Sequence, residues 1–163
     1  MVLELGCAPG SWTQYISEKI QAKESNISNS GRGGKVIGID LMEVEPIKGA
    51  IVYQCDAFSD ELKTILEKEK VKNFDVIVSD MAPNTSGIFD VDQYASVELN
   101  LKALDICREY LKPNGIGVFK IFRGADFDDF WGEAKQVFPN IKTYKPEATR
   151  ERSFEIYCVG KKK

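Results

Sequence analysis

Short runs of β-branched and apolar residues alternate with helical patterns along almost the whole chain. Four such runs, KVIGID, AIVYQC, FDVIVSD and GIGVFKIF, are each bounded by Gly, Pro, Asp or Asn. Runs of this kind are typical of strands buried on both faces of a sheet. Strands that alternate with helices build βαβ units, whose strands run parallel. The pattern therefore predicts an α/β fold, a doubly wound and mostly parallel sheet with helices on both faces.

The opening stretch VLELGCAPGSW supplies the first strand and a candidate binding loop. Residues 2–5 predict a buried strand, the segment from Gly6 to Gly10 predicts a tight turn, and a helix is expected to begin at Ser11 or Trp12. Glycines let the backbone approach a ligand closely, and the free N–H groups of a helix N-terminus attract anions. The chain thus starts directly on a loop suited to binding.

Helical periodicity and turn residues define the later elements. Apolar residues at helical spacing predict a helix over residues 92–111, and the turn sequence KPNG at 112–115 is expected to stop it. A last helix is predicted over residues 127–138 and is closed by Pro139. The sequence SFEIYCVG near the end has no helix after it and is expected to pair antiparallel at the sheet edge.

Composition limits the class of protein. A chain of 163 residues, 43% of them hydrophobic, is expected to form one globular domain over residues 1–163, with a polar Ser/Asn/Gly-rich loop over residues 22–34. No run approaches the roughly 18 apolar residues of a membrane helix. The four cysteines form no CxxC pair and the chain has no histidine, which argues against a zinc site and for buried thiols in a reducing compartment.

Charge is distributed unevenly along the chain. The net charge is −3, but the residues from Lys135 onward include eight basic and three acidic side chains, a local charge of +5. Lys145, Arg150 and Arg152 precede the last predicted strand and are candidates for contacting phosphates. The lysines at 161–163 are expected to form a frayed, solvated tail. The acidic remainder disfavours loose binding to any RNA and favours a substrate recognised by its shape.

Four predicted strands end in residues suited to a nucleoside. In an open parallel sheet, ligands bind at the carboxyl ends of the strands. The first strand ends in the glycine turn, the second in Asp40, the third in CDAF with Asp56, and the fourth in SDMAPN with Asp80. Asp40 is placed to accept hydrogen bonds from a ribose diol, and Asp56 lies beside a possible adenine. We therefore predict a nucleoside-bearing ligand along this rim.

The glycine spacing separates two candidate cofactors. NAD is bound through GxGxxG, which brings two backbone segments against a pyrophosphate. Here Gly6 and Gly10 are separated by three residues that include the stiff Pro9. This turn suits the compact carboxylate and amine of S-adenosylmethionine better than a pyrophosphate.

The motifs in order resemble the FtsJ-type (RrmJ-like) RNA 2′-O-methyltransferases. LELGCAPGSWTQY, GIDL, CDAF, SDMAPNTSG, FKIFRG and RSFEIYCV occur in the family's order and span nearly the whole chain. The resemblance implies a Rossmann-like S-adenosylmethionine-dependent methyltransferase fold. The MAPN form resembles the branch that acts on a uridine of large-subunit ribosomal RNA.

The resemblance also implies site residues. The family uses a Lys-Asp-Lys-Glu set, in which Asp80 matches the Asp, Lys120 the second Lys and Glu155 the Glu. The cofactor positions implied by the motifs, together with the first glycine of the turn, are Gly6, Gly10, Trp12, Asp40, Asp56 and Asp80. The family's first Lys lies upstream of the glycine loop, so the chain resembles a family member without its leading segment.

The local pattern around Lys120 and Glu155 is compatible with these roles. Alternation places Val118, Lys120 and Phe122 on one strand face, where an unpaired ammonium is costly to bury. Lys120 is therefore either a general base or an electrostatic anchor for the substrate, or it is a salt-bridged lysine at a strand end. Alternation likewise places Glu155 with Ser153 and Tyr157, where it either serves the site or faces solvent.

These observations predict a monomeric, intracellular methyltransferase that uses S-adenosylmethionine to modify a ribose 2′-hydroxyl of ribosomal RNA. The acidic remainder fits a substrate recognised by its shape, such as folded ribosomal RNA or a ribosomal particle. Alternatives are a transfer-RNA 2′-O-methyltransferase, a small-molecule methyltransferase of the same fold, a module that binds cofactor or RNA without turnover, and an NAD-dependent dehydrogenase, which the glycine spacing disfavours.

Overall fold

A computed structural model describes residues 1–24, 35–147 and 153–163, in two compact units, Met1–Phe74 and Asp75–Lys163. The predicted loop at 22–34 falls largely outside the described residues. None of the helices in these ranges is long and apolar enough to cross a membrane. The elements in chain order are β1 (Val2–Leu5), α1 (Ser11–Glu24), β2 (Val36–Asp40), β3 (Ala50–Gln54), α2 (Asp60–Lys68), β4 (Phe74–Ser79), α3 (Phe89–Tyr110), β5 (Leu111–Phe122), α4 (Phe127–Val137), β6 (Lys142–Tyr144) and β7 (Glu155–Lys161).

The first unit contains three parallel strands in the order β3-β2-β1. Val36 on β2 is in register with Val2 on β1 and with Ala50 on β3. All four residues of β1 and the first four of β2 are buried, and in β1 these include Glu4, whose carboxylate accepts the Thr13 hydroxyl at 2.6 Å. Helix α2 was not predicted from the sequence; the Ser59 hydroxyl caps it by accepting a hydrogen bond from the Glu61 N–H.

The second unit contains the remaining strands in the order β4-β5-β7-β6. β7 is antiparallel to β5, as predicted, with Lys120 opposite Tyr157. The prediction that this strand lies at the sheet edge is wrong, because the short strand β6 pairs with its other side. With seven mostly parallel strands, an antiparallel C-terminal strand and helices around them, the predicted α/β class is confirmed.

Two facing glycines make room for an aromatic core in the second unit. Gly117 and Gly160 are opposite each other across β5 and β7, and Phe138 packs against both. A Cβ atom added to Gly160 would lie 2.6 Å from the Phe138 Cβ, and one added to Gly117 would lie 2.5 Å from the Phe138 Cζ. Phe138 in turn packs edge-on against Phe119, with ring centroids 5.7 Å apart. The glycines are therefore needed for packing.

Boundaries around α3 and the C-terminus differ from the prediction. The helix begins at Phe89 instead of residue 92 and ends at Tyr110, and the KPNG sequence lies within β5. The predicted frayed lysine tail is wrong, since the ammonium of Lys162 donates to the carbonyl oxygens of Cys107, Arg108 and Leu111, each at 2.8 Å. The end of the chain thus binds the C-terminal turn of α3, where the Cys107 carbonyl also accepts the N–H of Leu111.

This contact predicts a stabilising role for Lys162. Replacing Lys162 with Met should lower the free energy of unfolding by about 1–3 kcal/mol, because charged hydrogen bonds to the helix end are lost. Urea denaturation measures the change. The matched control is Lys161→Met, at a neighbouring exposed position. Equal losses in the two variants would contradict the capping role.

All four cysteines, Cys7, Cys55, Cys107 and Cys158, are buried and free, as predicted. Burial, together with the carboxylates of Glu4 and Asp40, raises the pKa of the Cys7 thiol to about 12. These thiols are therefore protonated packing residues at neutral pH.

Candidate functional site

The glycine turn follows β1 directly and is held by backbone hydrogen bonds. Gly6 and Gly10 have positive φ angles of 77° and 115°, which side chains rarely adopt. The N–H groups of Gly6 and Cys7 both donate to the Ile39 carbonyl at the end of β2. The Gly10 carbonyl accepts the N–H of Gln14, which begins the helical bonding of α1. The predicted strand–turn–helix is confirmed, with the helix starting at Ser11.

Asp40 ends β2 and fixes this turn through its carboxylate. One carboxylate oxygen accepts the Ala8 N–H at 2.8 Å, and the other accepts the Met42 N–H at 2.8 Å. A carboxylate has about four acceptor positions, so further positions remain for ribose hydroxyls. The side chain is half-buried at a strand end. Asp40 is therefore both a support for the loop and an acceptor facing the strand end.

Asp56 and Trp12 supply the other predicted side chains of the first unit. Asp56 follows β3, is exposed, and accepts the Phe58 N–H at 2.9 Å through one carboxylate oxygen. Trp12 lies in the first turn of α1 and is 36% exposed. An acid suited to hydrogen-bond donors and an accessible aromatic ring thus accompany the glycine turn, a set whose chemistry fits a nucleoside-bearing cofactor.

In the second unit, the structure brings Lys120 and Asp80 together. The Lys120 ammonium donates to the Asp80 carbonyl oxygen at 2.8 Å and lies 3.0 Å from the Asp80 Oδ1. Their side chains are only 13% and 20% exposed. Residues 118, 120 and 122 are half-buried and alternate with fully buried neighbours, so the predicted strand face is confirmed. A charged pair with this little solvent is electrostatically strong.

Glu155 and Tyr157 lie on the strand paired with Lys120. Tyr157 is directly opposite Lys120, and Glu155 is opposite Phe122, two residues along the same face. Burial, followed by the carboxylates of Asp80 and Glu155, raises the pKa of Tyr157 to about 12. Tyr157 is therefore a neutral phenol throughout the physiological range, next to two anions and a cation.

Two polar residues of α3 that the sequence reasoning missed hold the end of β5. The Asn100 amide donates to the Lys120 carbonyl oxygen at 2.8 Å and to Ser96 O at 2.8 Å. The Ser96 hydroxyl accepts the Phe122 N–H at 3.1 Å. Both side chains are buried. They fix the backbone on either side of Ile121 and so the position of Lys120.

The structure therefore assembles the predicted site residues within each unit. Gly6, Gly10 and Asp40 are joined by the bonded turn in the first unit, with Trp12 on the helix that follows it. Lys120, Asp80 and Glu155 belong to one charged cluster in the second. Lys145 is exposed and donates to the Ser153 carbonyl oxygen at 3.0 Å. Arg150 and Arg152 lie outside the described residues. Among the described residues there is no group of three or more Cys, Asp and Glu placed to hold a metal.

Known proteins resemble this chain over nearly its whole length. A protein of Desulfatibacillum aliphaticivorans named ribosomal RNA large subunit methyltransferase E is 45% identical over 98% of this chain and 72% of its own length. One of the same name from Methanothrix thermoacetophila is 38% identical over 99% of this chain, which spans 58% of that relative.

A solved structure has the same fold. A Plasmodium falciparum protein assigned as a ribosomal RNA methyltransferase superposes with a TM-score of 0.80 at 28% identity, covering 99% of this chain and 85% of that chain. Human methyltransferase-like protein 13 in complex with SAH has the same fold, with a TM-score of 0.67 at 13% identity, 99% of this chain and 71% of that chain being covered. The family model for FtsJ-like methyltransferases matches residues 1–163. The chain therefore belongs to the FtsJ-like methyltransferase family.

Proposed function

We propose that this protein transfers a methyl group from S-adenosylmethionine to a ribose 2′-hydroxyl of large-subunit ribosomal RNA, at a uridine. The observation that carries the proposal is the Lys120 ammonium held 3.0 Å from the Asp80 carboxylate at the end of β5. Membership of the FtsJ-like family and the names of its relatives support the choice of RNA. We further propose that the protein acts as a monomer inside the cell, on RNA in a ribosomal particle.

The cofactor roles fall to the residues around the glycine turn. S-adenosylmethionine supplies an electrophilic methyl group on a sulfonium. We assign its binding to Gly6, Gly10, Trp12, Asp40 and Asp56, since the turn offers closely approachable backbone and Asp40 retains acceptor positions for ribose hydroxyls. Asp80 has two proposed roles, contact with the donor and support of Lys120.

The catalytic roles fall to Lys120, Asp80 and Glu155. The Lys120 ammonium lies beside the Asp80 carboxylate. Two of its contacts are with Asp80, and a third ammonium hydrogen is available to a ribose oxygen. The 2′-oxygen forms its bond to the methyl group as the sulfonium–methyl bond breaks, and its proton passes to solvent water. We assign Lys120 to orienting this oxygen and to stabilising the negative charge that develops on it. Glu155 is assigned to receiving hydrogen bonds from the same ribose.

A methyl-transfer assay tests this function. The chain is incubated with S-adenosylmethionine labelled in its methyl group and with large-subunit ribosomal RNA, either protein-free or in the ribosomal subunit. Transfer RNA serves as the comparison substrate. We expect label in the ribosomal RNA and little in the transfer RNA. Donor binding without transfer to either RNA would contradict the proposal and favour a non-catalytic binding module.

Asp40 gives a prediction for donor binding. Replacing Asp40 with Asn turns one acceptor into a donor that faces a backbone N–H, so the glycine turn loses one of its supports. We expect the affinity for S-adenosylmethionine to fall by about 10- to 100-fold, as for a lost charged hydrogen bond. Calorimetry measures it, with Asp60→Asn, an exposed position on α2, as control. Unchanged affinity in Asp40→Asn would contradict the assignment.

A further inference from the structure

A cavity in the second unit borders Glu155 and has no role in the function proposed so far. Its volume is about 240 Å³. The lining residues come from α3, from the end of β5 and from the start of β7, and they are Phe89, Asp92, Phe122, Ser153, Phe154 and Glu155. We name it the Phe154 pocket. Glu155 on β7 is opposite Phe122 on β5, and the next pair on the same face is Tyr157 opposite Lys120. The pocket therefore adjoins the charged cluster.

Aromatic rings form one side of the Phe154 pocket. The rings of Phe89 and Phe154 have centroids 4.2 Å apart at an interplanar angle of 45°. Phe89 is 37% exposed and Phe154 is 57% exposed, so large apolar side chains are held open to solvent. Exposed aromatic rings beside a cavity are suited to stacking on a flat apolar ligand.

Carboxylates form the polar side of the pocket. Asp92 accepts the Ser86 N–H at 2.6 Å, the Ser86 hydroxyl at 2.8 Å and the Gly87 N–H at 3.2 Å. These hydrogen bonds lower the pKa of Asp92 and keep it ionised, and the bond from the Ser86 N–H has the largest effect. Within the described part of the chain, the Glu155 carboxylate has no ion pair or side-chain hydrogen bond. Its two oxygens are hydrogen-bond acceptors in the pocket lining.

Size, charge and position together favour one class of occupant. Pockets for small molecules usually measure roughly 300–1,000 Å³, so this cavity suits one ring system rather than a whole nucleotide. Two carboxylates disfavour a phosphate and favour a ligand with N–H donors. Unpaired RNA bases combine a flat face with such donors, and proteins bind them by stacking on aromatic side chains.

We propose that the Phe154 pocket takes one unpaired base of the substrate RNA, at or beside the methylated nucleotide, stacked on Phe154 with its N–H groups donated to Glu155. This inference rests on the proposed function, because it is the RNA substrate that brings a base to this place. It adds a determinant of RNA binding to the cluster of Lys120, Asp80 and Glu155.

Steady-state kinetics on protein-free ribosomal RNA test the proposal. Phe154→Ala should raise the KM for RNA by roughly 5- to 150-fold, the range for loss of one base–aromatic stack, and leave the Kd for S-adenosylmethionine unchanged. Phe154→Trp keeps an aromatic ring at this position and should therefore keep the wild-type KM. The matched control is Tyr144→Ala, which removes a 60% exposed ring from β6 outside the pocket. An unchanged KM in Phe154→Ala would overturn the proposal.

Crosslinking identifies the occupant independently of turnover. RNA that carries 5-iodouridine around the target nucleotide should crosslink to the peptide containing Phe154 or Phe89, and this product should disappear in Phe154→Ala. If Phe154→Ala weakens activity only on ribosomal subunits and not on protein-free RNA, the pocket binds a protein side chain and the inference is wrong. If the wild-type protein crosslinks at Phe154 but transfers no methyl group, the proposed function fails and the base pocket stands.

Discussion

Replacing Lys120 with Met should reduce methyl transfer to RNA by about 10²- to 10³-fold, the range for losing one preorganised donor that stabilises developing charge. Met preserves the length of the side chain but removes the ammonium that lies 3.0 Å from Asp80. The KM for RNA should change less than kcat, because the lost interaction acts mainly on the oxygen as it reacts. The measurement is initial rates of label transfer at saturating donor.

Lys112→Met is the matched control for this experiment. Lys112 is also on β5, but it forms an exposed ion pair with Asp75, and such pairs contribute little. We expect Lys112→Met to keep wild-type activity. Donor binding, measured by calorimetry, should be unchanged in both variants. Transfer within tenfold of wild type in Lys120→Met would refute the assigned role.

Replacing Gly160 with Ala should destabilise the protein by roughly 3 kcal/mol, at the upper end of the range for an overpacked core. The added Cβ would lie 2.6 Å from the Phe138 Cβ, an atom that is attached to the backbone and cannot rotate away. Either β7 or the C-terminal end of α4 must therefore move. The midpoint of urea denaturation measures the loss.

Gly132→Ala is the control, and its effect should have the opposite sign. Gly132 lies within α4, and a Cβ added there meets no atom within 4 Å. Alanine is favoured over glycine in a helix, so stability should rise by about 0.5–1 kcal/mol. Destabilisation by Gly132→Ala that equals that of Gly160→Ala would contradict this account of the packing.

Strands and helices with strong hydrophobic patterns were predictable, and weak ones were not. The strands β1, β2 and β4 are mostly apolar runs, interrupted by Glu4 in β1 and Asp75 in β4, and the sequence shows them directly. β6 is only three residues long and all three are exposed. Its pairing with β7 depends on tertiary structure. Helix α2 is nine residues long and buries only Leu62, Ile65 and Leu66, too short a pattern to distinguish from a loop.

The candidate site was partly predictable because the ends of strands carry acids. That rule identified Asp40, Asp56 and Asp80, and alternation placed Lys120 and Glu155. It could have identified Tyr157 too, which shares a face with Glu155. The roles of these residues remain predictions.

Long-range polar contacts could not be predicted. Ser96 and Asn100 are four residues apart on α3, a pattern that resembles a solvated helix face, yet both are buried against β5. The bond from the Ala8 N–H to Asp40 joins residues 32 apart in sequence. Only the packed structure shows that such polar side chains support the site.

The most direct test of the central claim is the chemical position of the transferred methyl group. The protein is incubated with large-subunit ribosomal RNA and S-adenosylmethionine that carries a deuterated methyl, and the RNA is digested to nucleosides for mass spectrometry. We predict that the label appears in 2′-O-methyluridine and that it is lost in Lys120→Met. Label found on a base, or RNA that stays unlabelled while a small molecule is methylated, would contradict the account.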